Sequence, residues 1–385
     1  MSRMVSSVTR RRFLQSTALG VVATLHAPAV LRAQGAPIKI GVLHPVSGAL
    51  AYSGQQGRIG AQLAIEEINA AGGILKQKIA VSAGDDASDA RQGVSVANKL
   101  AGSGVKFVIG HFNSGVTIPA SDVYMENGVL MVSPASTSPK VTDRGLWNVF
   151  RTCGRDDQQG IVAGDYIARN YKNRKVAIVH DKTTYGQGLA DETRNAMQAG
   201  GLLDALYESI NVGTKDFGAL VTKIKASGAD YLYWGGLHTE GGLIVRQMRD
   251  QGVSATLMAA DGITDDDFAG IAGPAAEGTL MTYAPDPRKR PTAAAVVAKF
   301  RERNFEPHAY TLYAYAGVEI IRQAAEEAKT LDPRKIAMLM RSGRTFPTVI
   351  GNITFDLKGD VTRPDYVMYV WKKNASGKIT YTELE

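Results

Sequence analysis

Short apolar runs alternate with stretches of helical spacing along most of this chain. Ile38 to Leu43 reads as a strand, and Pro45-Val46-Ser47-Gly48 turns it into a loop ending at Gly54. Ala61, Ala64, Ile65 and Ile68 then recur on one helix face, and Asn69 to Gly73 supply a stop with a Gly-Gly cap. Ile79 to Ser82 predicts a second strand, followed by Asp85-Asp86 and a helix through Leu100. Lys106 to Pro139 supplies the strand Phe107-Val108-Ile109, a break at Gly110-His111, a helix through Pro119 to Glu126, and a further apolar run, Val129 to Val132. Strand and helix in alternation make a parallel sheet covered on both faces.

The pattern then restarts. A helix from Asp157 to about Tyr171 precedes strand Lys175 to His180, helix Gln187 to Ala199, and a strand near Tyr207 to Ile210. Phe217, Leu220, Val221 and Ile224 mark another helix, Tyr231 to Trp234 a strand, Glu240 to Gln251 a helix, and Thr256 to Ala259 and Gly278 to Tyr283 two more strands. Two such runs predict two similar α/β domains, and Ala284-Pro285-Asp286-Pro287 reads as a crossing between them. Beyond it come a helix over Thr292 to Arg303 and another whose buried stripe includes Tyr310, Tyr313, Gly317 and Ile321. Asn352 to Asp356 and Tyr366 to Trp371 read as closing strands joined through Lys358-Gly359-Asp360. A tail that still builds sheet predicts that the chain crosses between lobes more than once.

Within Lys106 to Pro139, each strand ends in small hydroxylated residues: Asn113-Ser114-Gly115 after the first, Ser133-Pro134-Ala135-Ser136-Thr137 after the second. In an open parallel sheet, ligands bind at the carboxyl ends of strands. Ser114 stands where a helix begins, so its hydroxyl and the N–H groups behind it suit an anion, and Ala135 and Thr137 add donors. Read separately, Ser114 is a helix cap and Ser136-Thr137 a turn; it is their pairing on adjacent strand ends that points to a site.

Charge narrows the class. Of 44 basic residues, Arg3, Arg10, Arg11, Arg12 and Arg32 fall in the first 33 residues, which hold no acid, so the formal +7 drops to 39 bases against 37 acids, or +2. That balance excludes a nucleic-acid surface; Arg288-Lys289-Arg290 is a single basic loop. Thr9-Arg10-Arg11-Arg12-Phe13-Leu14-Gln15 and the apolar run Ala18 to Leu25 read as a twin-arginine signal peptide over residues 1–33, cleaved near Ala33. That run is too short for a span of ~20 residues, and the expectation is an exported periplasmic protein. No cysteine stands at the cleavage point, which argues against lipidation. Cys153, the one cysteine of the chain, has no partner for an internal disulfide and reads as a small buried apolar residue.

Catalytic constellations are missing. The chain has no G-x-x-x-x-G-K-[ST] loop and no G-x-S-x-G elbow; after Gly186-Gln187-Gly188 the dinucleotide fingerprint fails at Asp191. His44, His111, His180, His238 and His308 stand singly, without H-E-x-x-H spacing. Asp85-Asp86 and Asp265-Asp266-Asp267 read as helix caps. The expectation is a protein that is not an enzyme and holds no cofactor or metal.

Ile38 to Asp86, Gly110-His111 through Asp122, Ser133 to Thr137, Ile178 to Ala190 and Ala272-Gly273 to Gly278 resemble the periplasmic leucine/isoleucine/valine-binding proteins of ABC transporters, in order and spacing, across essentially the whole mature chain. The resemblance implies a type I periplasmic-binding fold: α/β, two similar lobes, each a parallel-rich sheet flanked by helices, joined by three hinge crossings. Lobe 1 is expected over residues 37–156 plus 284–365 and lobe 2 over 157–283 plus 366–385. It also implies that Ser114, Ala135 and Thr137, with Ser136 beside them, bind the ligand α-carboxylate. Tyr185 would bind from the second lobe, and Asp261 would pair with the α-ammonium. Ser53, Leu237 and His308 stand where relatives carry aromatic residues over the ligand side chain, and Ser88 and Asn113 stand in place of a disulfide pair. The implied partners are a small amino acid and a membrane ABC permease, for a monomeric protein. A same-fold binder of a non-amino-acid solute, an aromatic acid or an amide, is the alternative, as is a ligand-sensing module.

Overall fold

The structure, a computed structural model, describes residues 36–384. The export segment expected over residues 1–33 lies outside the described residues. Strand β1 (Ile38–Leu43) leads to α1 (Ala51–Ala70), β2 (Ile79–Gly84) to α2 (Ala90–Gly102) and β3 (Phe107–Ile109) to α3 (Ser114–Glu126). With β4 (Leu130–Ser133) and β5 (Val149–Arg151) these strands form one parallel sheet in the order β2-β1-β3-β4-β5. The strands β3, β4 and β5 are buried along their whole length. That is why their sequences read as unbroken apolar runs, whereas the edge strand β2 is buried only at its first residue.

A second sheet repeats the plan. In chain order it comprises α4 (Asp156–Asn170), β6 (Val176–His180), α5 (Thr184–Ala199), β7 (Asp204–Ser209), α6 (Gly218–Ser227), β8 (Tyr231–Gly235), α7 (His238–Asp250), β9 (Thr256–Ala259), α8 (Asp267–Ala272) and β10 (Leu280–Tyr283). Its parallel part runs β7-β6-β8-β9-β10, the first sheet's order over again. In both, successive connections diverge between the first and third strands, at β1/β3 and β6/β8. A crevice opens at the strand ends there.

After β10 the chain returns to the first sheet through α9 (Ala294–Glu302), α10 (Thr311–Ala328), α11 (Pro333–Met340) and the antiparallel hairpin β11 (Thr345–Thr348) and β12 (Gly351–Thr354). Helix α10 packs on α1 and on β3 and β4, and Gly317 lets it close on Ile109 and Val132, where an added Cβ would sit 3.2 Å from the isoleucine methyl. Its buried Leu312, Ile320 and Ile321 each contribute roughly 1.5 to 3 kcal/mol of apolar burial. Strand β13 (Val367–Lys373) then adds antiparallel to β10, and β14 (Ile379–Glu383) completes that edge. The chain thus passes between the sheets after β5, after β10 and before β13. Among the described residues, no helix is long and apolar enough to cross a membrane.

Several elements differ from their sequence expectation. Asn352 and Tyr366 do not begin neighbouring strands: β12 pairs with β11 and β13 with the second sheet, while the Lys358-Gly359-Asp360 turn closes on a bridge between Phe355 and Val361. The sequence pattern does not mark β5, α8, α11, β11 or β14; β11 carries Pro347 and pairs only with a local hairpin partner. Helix α1 starts before Gly54, and only glycine fits there because a Cβ would fall 1.8 Å from the Pro45 carbonyl oxygen. Cys153 is buried, and burial pushes its thiol pKa well up, in keeping with an apolar role.

A charged cluster fixes the first connection. The Arg151 guanidinium, fully buried at the end of β5, donates through Nε to Asp360 Oδ1 at 2.5 Å and through Nη1 to the carbonyls of Ser136 and Ser138 at 2.8 and 3.0 Å. Arg155 Nη1 reaches Asp360 Oδ2 at 2.7 Å, and Thr142 donates to the same carboxylate at 2.9 Å. The loop after β4 is therefore tied through Arg151 to the connections themselves.

Candidate functional site

The crevices at β1/β3 and β6/β8 face each other across one cleft. On the first lobe it is lined by Leu50 and Ser53 of the α1 end, by Phe112, Asn113 and Ser114 after β3, by Ala135 after β4, and by Tyr310 before α10. The second lobe contributes Tyr185, Leu237 and His238 at helix starts, and Asp261, Gly262, Thr264 and Asp265 after β9. The free volume between the walls is about 40 Å³, and the two faces touch through Ser53–Asp265 and Tyr310–Asp261 hydrogen bonds.

Asp261 is the centre of the polar wall. It is buried in a turn just past β9; Oδ1 accepts from the Tyr185 hydroxyl at 3.0 Å and Oδ2 from the Tyr310 hydroxyl at 2.5 Å. Burial raises its carboxyl above the usual carboxylate range, and the two tyrosine hydroxyls work against that rise. The same burial, with the Asp261 charge beside them, holds Tyr185 and Tyr310 far above the ordinary tyrosine range, so both remain donors. Tyr185 Oη in turn accepts from the Gly262 N–H at 2.9 Å. Glycine is required there: an added Cβ would lie 2.4 Å from the Gly236 carbonyl oxygen and 2.8 Å from Tyr185 Oη.

The opposite wall presents donors. Helix α3 begins at Ser114 behind an extended Asn113 that makes no side-chain cap bond. The Val116 and Thr117 N–H groups bond the Asn113 carbonyl, which leaves those of Ser114 and Gly115 without an intrahelical acceptor, and Asn113 and Ser114 put this positive dipole end on the cleft wall. Ser114 Oγ accepts from the Ser138 N–H at 3.2 Å, which ties the α3 start to the loop after β4. Apolar surface comes from Leu50, Phe112, Ala135 and Leu237. A zwitterion with an aliphatic side chain matches this set: donors at one pole, a carboxylate at the other, and apolar walls between.

Of the residues expected from the sequence, Ser53, Ser114, Ala135, Tyr185, Leu237 and Asp261 meet on the cleft wall. Ser53 does not face a ligand side chain freely, because its hydroxyl donates to Asp265 Oδ2 of the other lobe at 2.6 Å. Ser136 turns inward: its hydroxyl reaches the carbonyls of His111 and Phe112 at 3.2 and 2.9 Å and pairs with Thr117 Oγ1 at 2.5 Å. Thr137 is buried with its hydroxyl unpartnered and accepts the Asp156 N–H at 2.9 Å through its carbonyl. His308 stands apart from the cleft wall. Its N–H is held by Gln56 and Thr311, and its ring packs edge-on against Tyr52 at 5.4 Å, lining a separate small cavity with Tyr283 and Tyr381.

Sequence reasoning missed Tyr310, which reads as one more residue of a buried stripe, and Asp265, which reads as a helix cap. Asp265 precedes the α8 N-cap residue, Asp266, and accepts the Asp267 N–H at 3.0 Å, while its second oxygen spans the cleft to Ser53. It also missed Asp156, fully buried near Asp261 with neither carboxylate oxygen partnered; burial and the Asp261 charge raise its pKa well above the usual range. His238 does not stand alone either. With Asp265 and Asp267 it offers ligand atoms within 4.8 Å of one another, although the Asp265 oxygens are already engaged.

Comparison with known proteins shows the family. A family model for periplasmic binding proteins matches residues 37–378. The Leu/Ile/Val-binding protein homolog 1 of Brucella melitensis biotype 1 is 56% identical over 348 residues, covering 90% of this chain and 94% of that protein. An amino acid binding protein of Pseudomonas aeruginosa is 50% identical over 339 residues, covering 87% and 90%. Among solved structures, the branched-chain amino acid transporter substrate-binding protein LivJ of Streptococcus pneumoniae, in complex with isoleucine, superposes with a TM-score of 0.80 at 28% identity, over 91% of this chain and 100% of that one.

Proposed function

The chain belongs to the periplasmic binding protein family, and we propose that it is the exported substrate-binding component of an ABC importer for branched-chain and related aliphatic amino acids. The observation that carries the reading is the placement of Asp261 opposite the α3 start across one cleft. The α-ammonium of the guest pairs with Asp261, its α-carboxylate takes the N–H groups at Ser114 and Ala135 and the Thr137 hydroxyl, and its side chain rests on Leu50, Phe112 and Leu237. Each hydrogen bond to a charged pole contributes roughly 1.5 to 3 kcal/mol, so three or four reach the ~8 kcal/mol of micromolar binding. The poles are served by opposite lobes, so full affinity requires closure. The protein binds its guest without turnover, acts as a monomer after export, and hands the guest to a membrane permease.

A thermal-shift screen tests the reading. Protein stripped of guest by unfolding and refolding is offered the aliphatic amino acids and, in parallel, aromatic acids and amides. Leucine, isoleucine or valine should raise the midpoint, with one equivalent bound by calorimetry and recovered unaltered. A response confined to aromatic acids or amides would overturn the amino-acid assignment and leave the fold's role as a binder. Recovery of a chemically changed guest would overturn the absence of turnover.

A further inference from the structure

Apart from the cleft, a chamber of about 560 Å³ lies at the connections between the lobes. All three connections line it: Thr152 and Gly154 from the first, Ala284 and Pro285 from the second, and the segment Thr362 to Asp365 from the third. The β11–β12 hairpin, with Thr345, Asn352 and Thr354, forms the remaining wall. None of these residues lines the cleft.

Its charge is one-sided. Arg290, Arg363 and Asp365 line it, two guanidiniums and one carboxylate. Among the described residues neither arginine is in an ion pair, although Arg288, two positions from Arg290, pairs with both Asp286 and Glu306. Arg290 is half-buried, so its charge is partly withdrawn from water with no carboxylate at ion-pair distance. Threonine hydroxyls and the Asn352 amide add hydrogen-bonding capacity around the same space. A guanidinium fork unpaired in a polar chamber is suited to a carboxylate or phosphate oxygen pair.

We propose that this chamber is a second binding site, for a small polar anion of the carboxylate or phosphate type, and that its occupancy is coupled to opening and closing of the lobes. The coupling follows from where the walls come from. Rotation of one lobe against the other is absorbed in the backbone of the connecting residues, so the chamber cannot keep one shape in both states. An anion that fits one state better shifts the equilibrium towards it, and by reciprocity changes the affinity of the cleft for its own guest.

Calorimetry on the full mature protein tests this directly. Inorganic phosphate and citrate are titrated separately into guest-free protein at constant ionic strength, with chloride as the control. At least one should bind with one-to-one stoichiometry, and Arg290→Gln and Arg363→Gln should each weaken that binding tenfold or more. Phosphate alone binding identifies a phosphate-type site, citrate alone a carboxylate-type one. Leucine affinity, measured with and without saturating anion, should change at least threefold in the wild type and by less than half that in Arg290→Gln. Arg363 is exposed, so its variant tests the site even if Arg290→Gln fails to fold. Absence of anion binding, or binding unmoved by both substitutions, would overturn the site whatever the cleft binds. Binding that leaves leucine affinity unchanged would overturn the coupling.

Discussion

Tyr310 and Asp261 join the two lobes through a hydrogen bond of 2.5 Å, the hydroxyl standing at the start of α10 and the carboxylate just past β9. The tyrosine ring is held edge-on between Phe112, Tyr283 and Tyr313 at centroid distances of 5.5 to 5.7 Å, so phenylalanine can replace it without losing that packing. Tyr310→Phe takes one of two hydroxyl donors from Asp261 and one contact from the closed arrangement. Leucine affinity should fall roughly tenfold, the size of one hydrogen bond to a charged group. Small-angle scattering of guest-free protein should show a larger radius of gyration than the wild type. An unchanged radius together with unchanged affinity would show that the contact does not support closure.

Asp261 also gives the proposed binding its pH dependence. Its carboxyl titrates above the usual range because it is buried, and an ammonium bound beside it favours the ionised form. Protons are therefore released when the guest binds, and affinity falls as pH drops through the raised pKa, earlier than it would for an exposed aspartate. Calorimetry in buffers of different ionisation enthalpy measures that release below neutrality. Asp261→Asn should weaken leucine at least tenfold at pH 7 and flatten the profile. A variant that binds as tightly as wild type would remove Asp261 from the ammonium site.

Arg151 and Asp360 support the donor wall from behind. Removing one partner of a buried pair leaves an uncompensated charge, which typically costs 3 to 5 kcal/mol. Asp360→Ala strands Arg151, itself the donor to the Ser136 and Ser138 carbonyls. Urea unfolding should show a loss in that range, and leucine binding should weaken because the loop after β4 is no longer anchored. The double replacement Arg151→Met with Asp360→Leu should regain much of the stability while leaving binding weak. Recovery of both together would place the cluster outside ligand positioning.

How much of this was legible in the sequence depended on range. The strands β3, β4, β6 and β8 are buried on both faces, so their composition alone marks them, and the cleft follows from their carboxyl ends. Ser114 and Asp261 fall where that rule puts ligand groups, and the roles proposed for them come from the family resemblance. Tyr310 was not legible. It reaches Asp261 from 49 residues away, and helical spacing reports only that its ring is buried, not where its hydroxyl points. Ser136 misled for the opposite reason: a hydroxyl at a strand end looks like a ligand donor, yet its nearest acceptors are two carbonyls of its own lobe. His308 stands over the ligand side chain only by the family resemblance, whereas the course of its loop is set by Gln56 and Thr311.

His44, at the end of β1, makes stability itself depend on pH. It is fully buried with neither ring nitrogen hydrogen-bonded, and burial lowers its pKa to about 4 from 6.5. The unfolded chain takes up a proton near pH 6.5 while the folded one waits until about pH 4, so stability present at neutral pH is lost as pH falls through that window. The span corresponds to roughly 3 kcal/mol at its acid end. Other buried groups titrate in the opposite sense, since Asp181 is raised to about 6 and Glu319 to about 7. Wild-type stability alone therefore does not isolate the histidine, but its difference from His44→Leu does. Urea unfolding at pH 7 and pH 4.5 should show the variant gaining on the wild type by at least 1.5 kcal/mol between the two. An equal loss in both proteins would mean that His44 is already solvated, or already charged, in the folded state.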